Sequence, residues 1–153
     1  MKRTDFATKK STKDASRLRV GIVVSDYNSD ITEKLLAGAL ETLREWKVAN
    51  KNCLVVHVPG AFEIPYGCLK FLMGKKKPNA IIALGCVLKG ETKHDEYISN
   101  AVASGIMQLS IQYKIPISFG VLTPNTLEQA RARAQGDANK GKEAAIAVLE
   151  MAV

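Results

Sequence analysis

Residues 19–46 read RVGIVVSDYNSDITEKLLAGALETLREW, and this stretch decides the fold class. Arg19 to Ser25 is a short β-branched run without polar alternation, the pattern of a strand buried on both faces. From Asp30 onward, Ile31, Leu35, Leu36, Ala39, Leu40, Leu43 and Trp46 recur at three- and four-residue steps. They define one face of a helix, with Asp30 as the expected N-cap and Glu33 as its capping-box partner. A doubly buried strand leading into an amphipathic helix is the building unit of a parallel sheet covered by helices.

The same unit recurs along the chain. CLVVHV (53–58) is a second strand, stopped by Pro59-Gly60, and a helix is expected from Phe62 to about Met73, with Pro65 tolerated in its first turn. AIIALGCVL (80–88) is the third strand, followed by the polar run KGETKHD (89–95) and a long helix over 96–112. IPISFGVL (115–122) supplies the fourth strand, with Pro116 at its start, where a ladder donor can be spared. A helix after Thr123-Pro124-Asn125 runs through Ala134, the loop QGDAN (135–139) follows, and a last helix covers 140–151. No repeat or linker divides this pattern, so a single α/β domain with helices on both sheet faces is expected.

The chain has 153 residues, 46% of them hydrophobic, enough to build a core without disulfides or a structural metal. Its net charge of +7 is concentrated in residues 1–19, where seven basic side chains face two acidic ones. The basicity therefore describes a tail, expected to be flexible over 1–18, with the domain occupying 19–153. Neither the tail nor Lys75-Lys76-Lys77 interleaves aromatic side chains with its cations, which argues against nucleic-acid binding. No run of about 20 apolar residues is present and the N-terminus lacks the apolar centre of a secretory signal, so a soluble, cytoplasmic protein that does not engage membranes is expected. Cys53, Cys68 and Cys86 are odd in number, form no CxxC pair and stand in apolar contexts, which points to packing in a reduced compartment. With only His57 and His94 beside them, no metal site is expected.

In an open parallel sheet ligands gather in the loops that leave the strands' carboxyl ends. Tyr27-Asn28 offers a flat face beside an amide, suited to a heterocycle, although half-buried packing is the plain alternative for a single aromatic. Gly60-Ala61-Phe62-Glu63 lets backbone N–H groups approach a ligand at the start of a helix, as many βα turns do without binding anything. GETKH (90–94) joins free backbone donors, a hydroxyl and an imidazole, a group that titrates near neutral pH. His57, inside an apolar strand, reads instead as structural. Arg133 and Lys140 are either solvated helix-end charges or a phosphate clamp, depending on how the loop between them folds. The residues support a cleft for a planar ring and a phosphate, with one proton shuttle.

Taken together, SDYNSDIT, VPGAFEIP, ALGCVLKGETKHDEY, FGVLT and NKGKEAA, spread in order from about Val20 to Met151, closely resemble the lumazine synthase family. The resemblance implies a flavodoxin-like three-layer α/β/α sandwich around a four-stranded parallel sheet. It also implies a transferase reaction in riboflavin biosynthesis, without cofactor or metal: 5-amino-6-(D-ribitylamino)uracil condenses with 3,4-dihydroxy-2-butanone 4-phosphate to 6,7-dimethyl-8-ribityllumazine, releasing phosphate and water. Carried over by position, Tyr27 would stack on the pyrimidine. Asn28, Ala61, Phe62, Glu63, Cys86, Val87 and Leu88 would bind its edge and the ribityl chain. Glu91 and Thr92 would hold the phosphate through backbone donors and the Thr hydroxyl, and His94 would move protons. Phe119 would arrive from a neighbouring subunit to cover the ring, with Arg133 on the phosphate and Lys140 close by.

The chain departs from the family pattern in four places. Tyr27 replaces a Phe or Trp, and Glu91 adds a carboxylate, expected to point away from the dianion. Asp95 stands where an aromatic often follows the histidine, leaving it to orient His94 or cap the next helix. The loop before Asn139 is about one residue shorter than in many relatives. The family's members are homopentamers, and many build a 60-subunit icosahedral shell that can enclose riboflavin synthase. The loop 135–139 lacks the proline-containing insertion of smaller assemblies, which points here to a shell. The rival readings are an archaeal-type riboflavin synthase homologue and a non-catalytic flavin-binding or shell-forming homologue. The intact GAFEIP, GETKH and NKG segments oppose the first, and the presence of both His94 and Arg133 opposes the second.

Overall fold

The computed structural model describes residues 14–153. Its elements, in chain order, are β1 (Val20–Ser25), α1 (Ser29–Glu45), β2 (Cys53–Val58), α2 (Ile64–Met73), β3 (Ala80–Cys86), α3 (His94–Tyr113), β4 (Ile117–Leu122), α4 (Leu127–Ala132) and α5 (Lys140–Ala152). The four strands form one parallel sheet in the order β2-β1-β3-β4. The sequence expectation of a three-layer sandwich of the flavodoxin type holds.

Burial explains the central pair. Every residue of β1 and of β3 is buried, as continuous apolar runs require when helices cover both faces. On one face Ile22, Val24, Ile82 and Leu84 pack with Ile31, Leu35, Ala39 and Leu43 of α1 and Ala145, Ile146 and Leu149 of α5. On the other, Val23, Ile81 and Ala83 pack with Ile64, Cys68 and Leu72 of α2 and Val102 and Ile106 of α3. Each fully buried Leu or Ile contributes about 1.5–3 kcal/mol of transfer free energy, so the two faces together dominate the stability of the domain.

Several local expectations shift. Asp30 is not the N-cap of α1: the helix starts at Ser29, and the cap position is Asn28 in a left-handed conformation (φ 62°, ψ 44°), with no side-chain cap bond. Asp30 lies instead in the first turn, where a carboxylate still favours the positive helix end. The segment Ala61–Glu63 forms a single 3₁₀ turn before α2. β3 ends at Cys86, so Val87 and Leu88 belong to the loop after it, and α3 begins two residues earlier than expected, at His94 itself. β4 begins at Ile117 because Ile115 is drawn into the end of α3, its N–H on Ser110 O (3.2 Å) and its carbonyl on Ser110 Oγ (2.8 Å). α4 spans only Leu127–Ala132.

The expected flexible tail lies mostly outside the described residues. Of its last part, Ala15 is buried and Leu18 packs against the α1/α5 face of the core.

Candidate active site

The connections from β1 run outward to β2, and those after it pass to β3 and β4 on the opposite side, so the sheet reverses its order between β1 and β3. The carboxyl ends of those two strands are where a crevice opens in such a sheet. Asn28 bridges them: its side-chain nitrogen donates to the carbonyl oxygen of Cys86 at 2.9 Å. The backbone beside it is tied to β2, with Asp26 N–H on Val58 O (2.8 Å) and Tyr27 N–H on Pro59 O (3.0 Å). These bonds set Tyr27 at the mouth, 72% exposed, beside the Pro59–Glu63 turn that comes from 32 residues further along the chain.

In that turn Ala61 is buried and Phe62 is 60% exposed, so two aromatic faces and an anchored amide flank the mouth of the sheet. Cys86 contributes backbone chemistry. Its thiol is buried and pushed up to about 11, first by desolvation and then by the Asp30 carboxylate, which makes it a poor nucleophile at neutral pH.

The loop after β3 is exposed from Lys89 to His94. Its entry is held by Val87 N–H on Leu122 O (2.8 Å) and Lys89 N–H on Pro124 O (3.1 Å). It folds on itself through His94 N–H on Thr92 Oγ1 (3.4 Å) and Gly90 N–H on Asp95 Oδ1 (3.5 Å). Asp95 thus closes the loop. Glu91 and Thr92 are both exposed in it, and His94 projects from the first residue of α3, where backbone N–H groups favour an anion nearby.

A second group of candidates sits apart. Phe119, Arg133 and Lys140 line one open cavity of about 620 Å³ with Asn125, Gln129 and Glu143, along the edge strand β4. Tyr27, Phe62 and His94 are not among its lining residues. Phe119 is 46% exposed there. Arg133 donates through Nη1 to Gln129 O (3.0 Å), and Lys140 N–H reaches Arg133 O (2.8 Å), which brings the two cations' main chains together. The Lys140 ammonium is ion-paired with Glu143, so its charge is already offset.

Two lining residues of this cavity, Gln129 and Glu143, and Asn139, next to Lys140 in the chain, were not singled out from sequence. Glu143 follows Lys140 by one helical turn, a spacing that could have flagged the pair. Gln129 accepts Asn125 N–H through Oε1 (3.0 Å) and, through its carbonyl, steadies Arg133. Asn139 anchors the loop between the cations. His57 lies in β2 as expected, but on an edge strand with its side chain half exposed, where Nδ1 meets Asp26 Oδ1 at 2.8 Å. Among the described residues no three His, Cys, Asp or Glu side chains group to hold a metal, and no helix is long and apolar enough to cross a membrane.

Residues 17–153 match the family model described as 6,7-dimethyl-8-ribityllumazine synthase. Three similar proteins carry that same name. One from Parabacteroides distasonis is 45% identical over 92% of this chain and 88% of its own length. One from Christiangramia forsetii is 45% identical over 94% and 86%, and one from Kosmotoga olearia is 46% identical over 88% and 86%.

Proposed function

The chain belongs to the 6,7-dimethyl-8-ribityllumazine synthase family, and on that premise we propose that its active site is assembled from two copies of the chain. The reaction is the condensation of 5-amino-6-(D-ribitylamino)uracil with 3,4-dihydroxy-2-butanone 4-phosphate, a transferase step of riboflavin biosynthesis acting on small molecules. One copy presents Tyr27, Asn28, Ala61–Glu63, Cys86–Leu88 and Glu91–His94. Its neighbour presents Phe119, Arg133 and Lys140. The observation that carries this division is the separate cavity: the phosphate cations and Phe119 line a groove that includes neither the ring-stacking residues nor His94.

In this arrangement the uracil lies on Tyr27 with its edge on the backbone of the 61–63 turn and of the β3 end. The phosphate is held by the exposed 91–92 backbone, the Thr92 hydroxyl and the neighbour's Arg133. The uracil's amine adds to the ketone carbonyl, and loss of water leaves a Schiff base. Elimination then expels phosphate, and ring closure with a further loss of water gives the lumazine. His94 carries the protons that dehydration and elimination require, and Arg133 stabilises the departing dianion. Holding both reactants in register makes a bimolecular condensation effectively unimolecular, which is worth up to about 7–11 kcal/mol.

Assembly is supported by α3. From Tyr97 to Tyr113 it has no charged side chain, and Tyr97, Met107 and Ile111 are exposed on it. A helix face of that kind is expected between subunits of a pentamer, with pentamers joining into a shell that can enclose riboflavin synthase in the cytoplasm. Met107→Glu tests the shared site. The oligomer should dissociate and lose activity together, measured by light scattering and by absorbance of the lumazine with equimolar phosphate. A dissociated variant that retains full turnover would place the whole site in one chain.

A further inference from the structure

We propose that Asn139 is a positioning residue for the phosphate cations, an inference that rests on the reading of Arg133 and Lys140 as phosphate-site residues. Asn139 is 5% exposed, and its amide is fully used. Nδ2 donates to Lys34 O of α1 and to Ala134 O beyond α4, both at 2.9 Å. Oδ1 accepts Gly141 N–H (2.8 Å) and Lys142 N–H (3.3 Å), capping α5. One side chain therefore joins α1, the residue after Arg133 and the helix that starts with Lys140. With Lys140 N–H on Arg133 O at 2.8 Å, the loop 134–139 closes into a frame whose two corners are the two cations.

Only an asparagine side chain meets these demands at this reach. Two N–H groups at the start of α5 need an acceptor and two carbonyl oxygens need a donor, which matches one amide oxygen and one NH₂. Aspartate would turn the donors into a charged acceptor opposite two carbonyl oxygens, one of them buried. Serine would preserve the cap on α5 but drop both ties to α1 and Ala134. The fit is also steric, because a Cβ on Gly38 would lie 2.5–2.7 Å from the Asn139 amide atoms. Gly38 in α1 is thus the cradle for a side chain that arrives from the other end of the sequence.

Asn139→Ser and Gly38→Ala disturb the frame by different routes, one by removing donors and the other by pushing the amide from outside. Both are to be assayed as the assembled enzyme with each substrate varied in turn, alongside equilibrium binding of inorganic phosphate. We expect KM for the phosphate-bearing substrate to rise roughly tenfold or more and phosphate binding to weaken in parallel. KM for the uracil substrate and the pH profile of kcat should be unmoved. Equal changes in both KM values, or a lowered melting temperature with neither KM changed, would show a purely structural asparagine and overturn the proposal. Arg133→Ala separates the two levels of inference. If it too leaves the phosphate-substrate KM unchanged, the phosphate-site reading itself fails; if it alone raises that KM, only the role of Asn139 fails.

Discussion

The Asn28 side-chain nitrogen donates to Cys86 O at 2.9 Å across the point where the sheet reverses its strand order. Asn28 does this from a left-handed backbone conformation, which asparagine tolerates better than most residues. Two effects can therefore be separated by substitution. Asn28→Gly loses the hydrogen bond but fits the backbone, and should cost about 1 kcal/mol in chemical denaturation. Asn28→Ala loses the bond and adds left-handed strain, for a total of about 2–3 kcal/mol. Equal losses would mean that the strain argument is wrong. Both variants should also weaken binding of the uracil substrate, since Tyr27 is aimed by the same turn.

His94→Ala should reduce kcat by about 10²-fold without abolishing it, because a positioned proton carrier contributes on that scale while the binding of two reactants in register persists. Apparent affinities should change little. The measurement is a steady-state assay following lumazine absorbance and phosphate release together. Complete loss of activity in a folded, correctly assembled variant would mean that positioning contributes far less than argued.

Much of this molecule was legible in the sequence, and the failures have identifiable causes. β1 and β3 could be read because both faces are buried, which leaves uninterrupted apolar runs. β2 was bounded correctly by Pro59-Gly60 after it. Helix ends were harder, because α1 and α3 close on lysines at positive φ, Lys47 (65°) and Lys114 (55°), where glycine is the usual signal. The cap of α1 was misplaced for a related reason: Asp30 has the right chemistry, but the side chain at the true cap is committed to a distant strand. Arg133 and Lys140 were recognisable as a pair, whereas Asn139 and Gln129 were not. Asn139 depends on the Lys34 carbonyl, which tertiary packing brings from 105 residues away and which leaves no mark on spacing, whereas Gln129 bonds residues four away on either side, a helical spacing that could have been read.

The thiols give a pH dependence with a definite sign. Burial pushes Cys68 up to about 12 and Cys86 up to about 11, against a reference value of 9.0 for an exposed thiol. A folded-state value above the unfolded one means that their contribution is intact below about pH 9 and is lost as pH rises toward 11–12, because the unfolded chain releases those protons first. Urea midpoints measured from pH 8 to 11 should fall, and Cys68→Ala should flatten that fall even though the cavity lowers overall stability. A thiol reagent at pH 8 should reach at most Cys53 in the native protein and all three cysteines after unfolding.

Gly141 tests whether α1 and α5 meet by close backbone approach. A Cβ there would lie 1.9 Å from the carbonyl oxygen of Leu35, a contact with main chain that no rotamer can relieve. Gly141→Ala should therefore cost about 3 kcal/mol or more, at the upper end for overpacking, and should shift the start of α5 together with Lys140. Gly136 is the matched control. Its φ of +52° disfavours a side chain, yet a Cβ would meet nothing within 4 Å, so Gly136→Ala should cost only about 1–2 kcal/mol of backbone strain. Denaturation of the two variants in parallel distinguishes the causes. If Gly136→Ala proves the more damaging, backbone conformation in the 134–139 loop, rather than the contact between α1 and α5, governs how Arg133 and Lys140 are held.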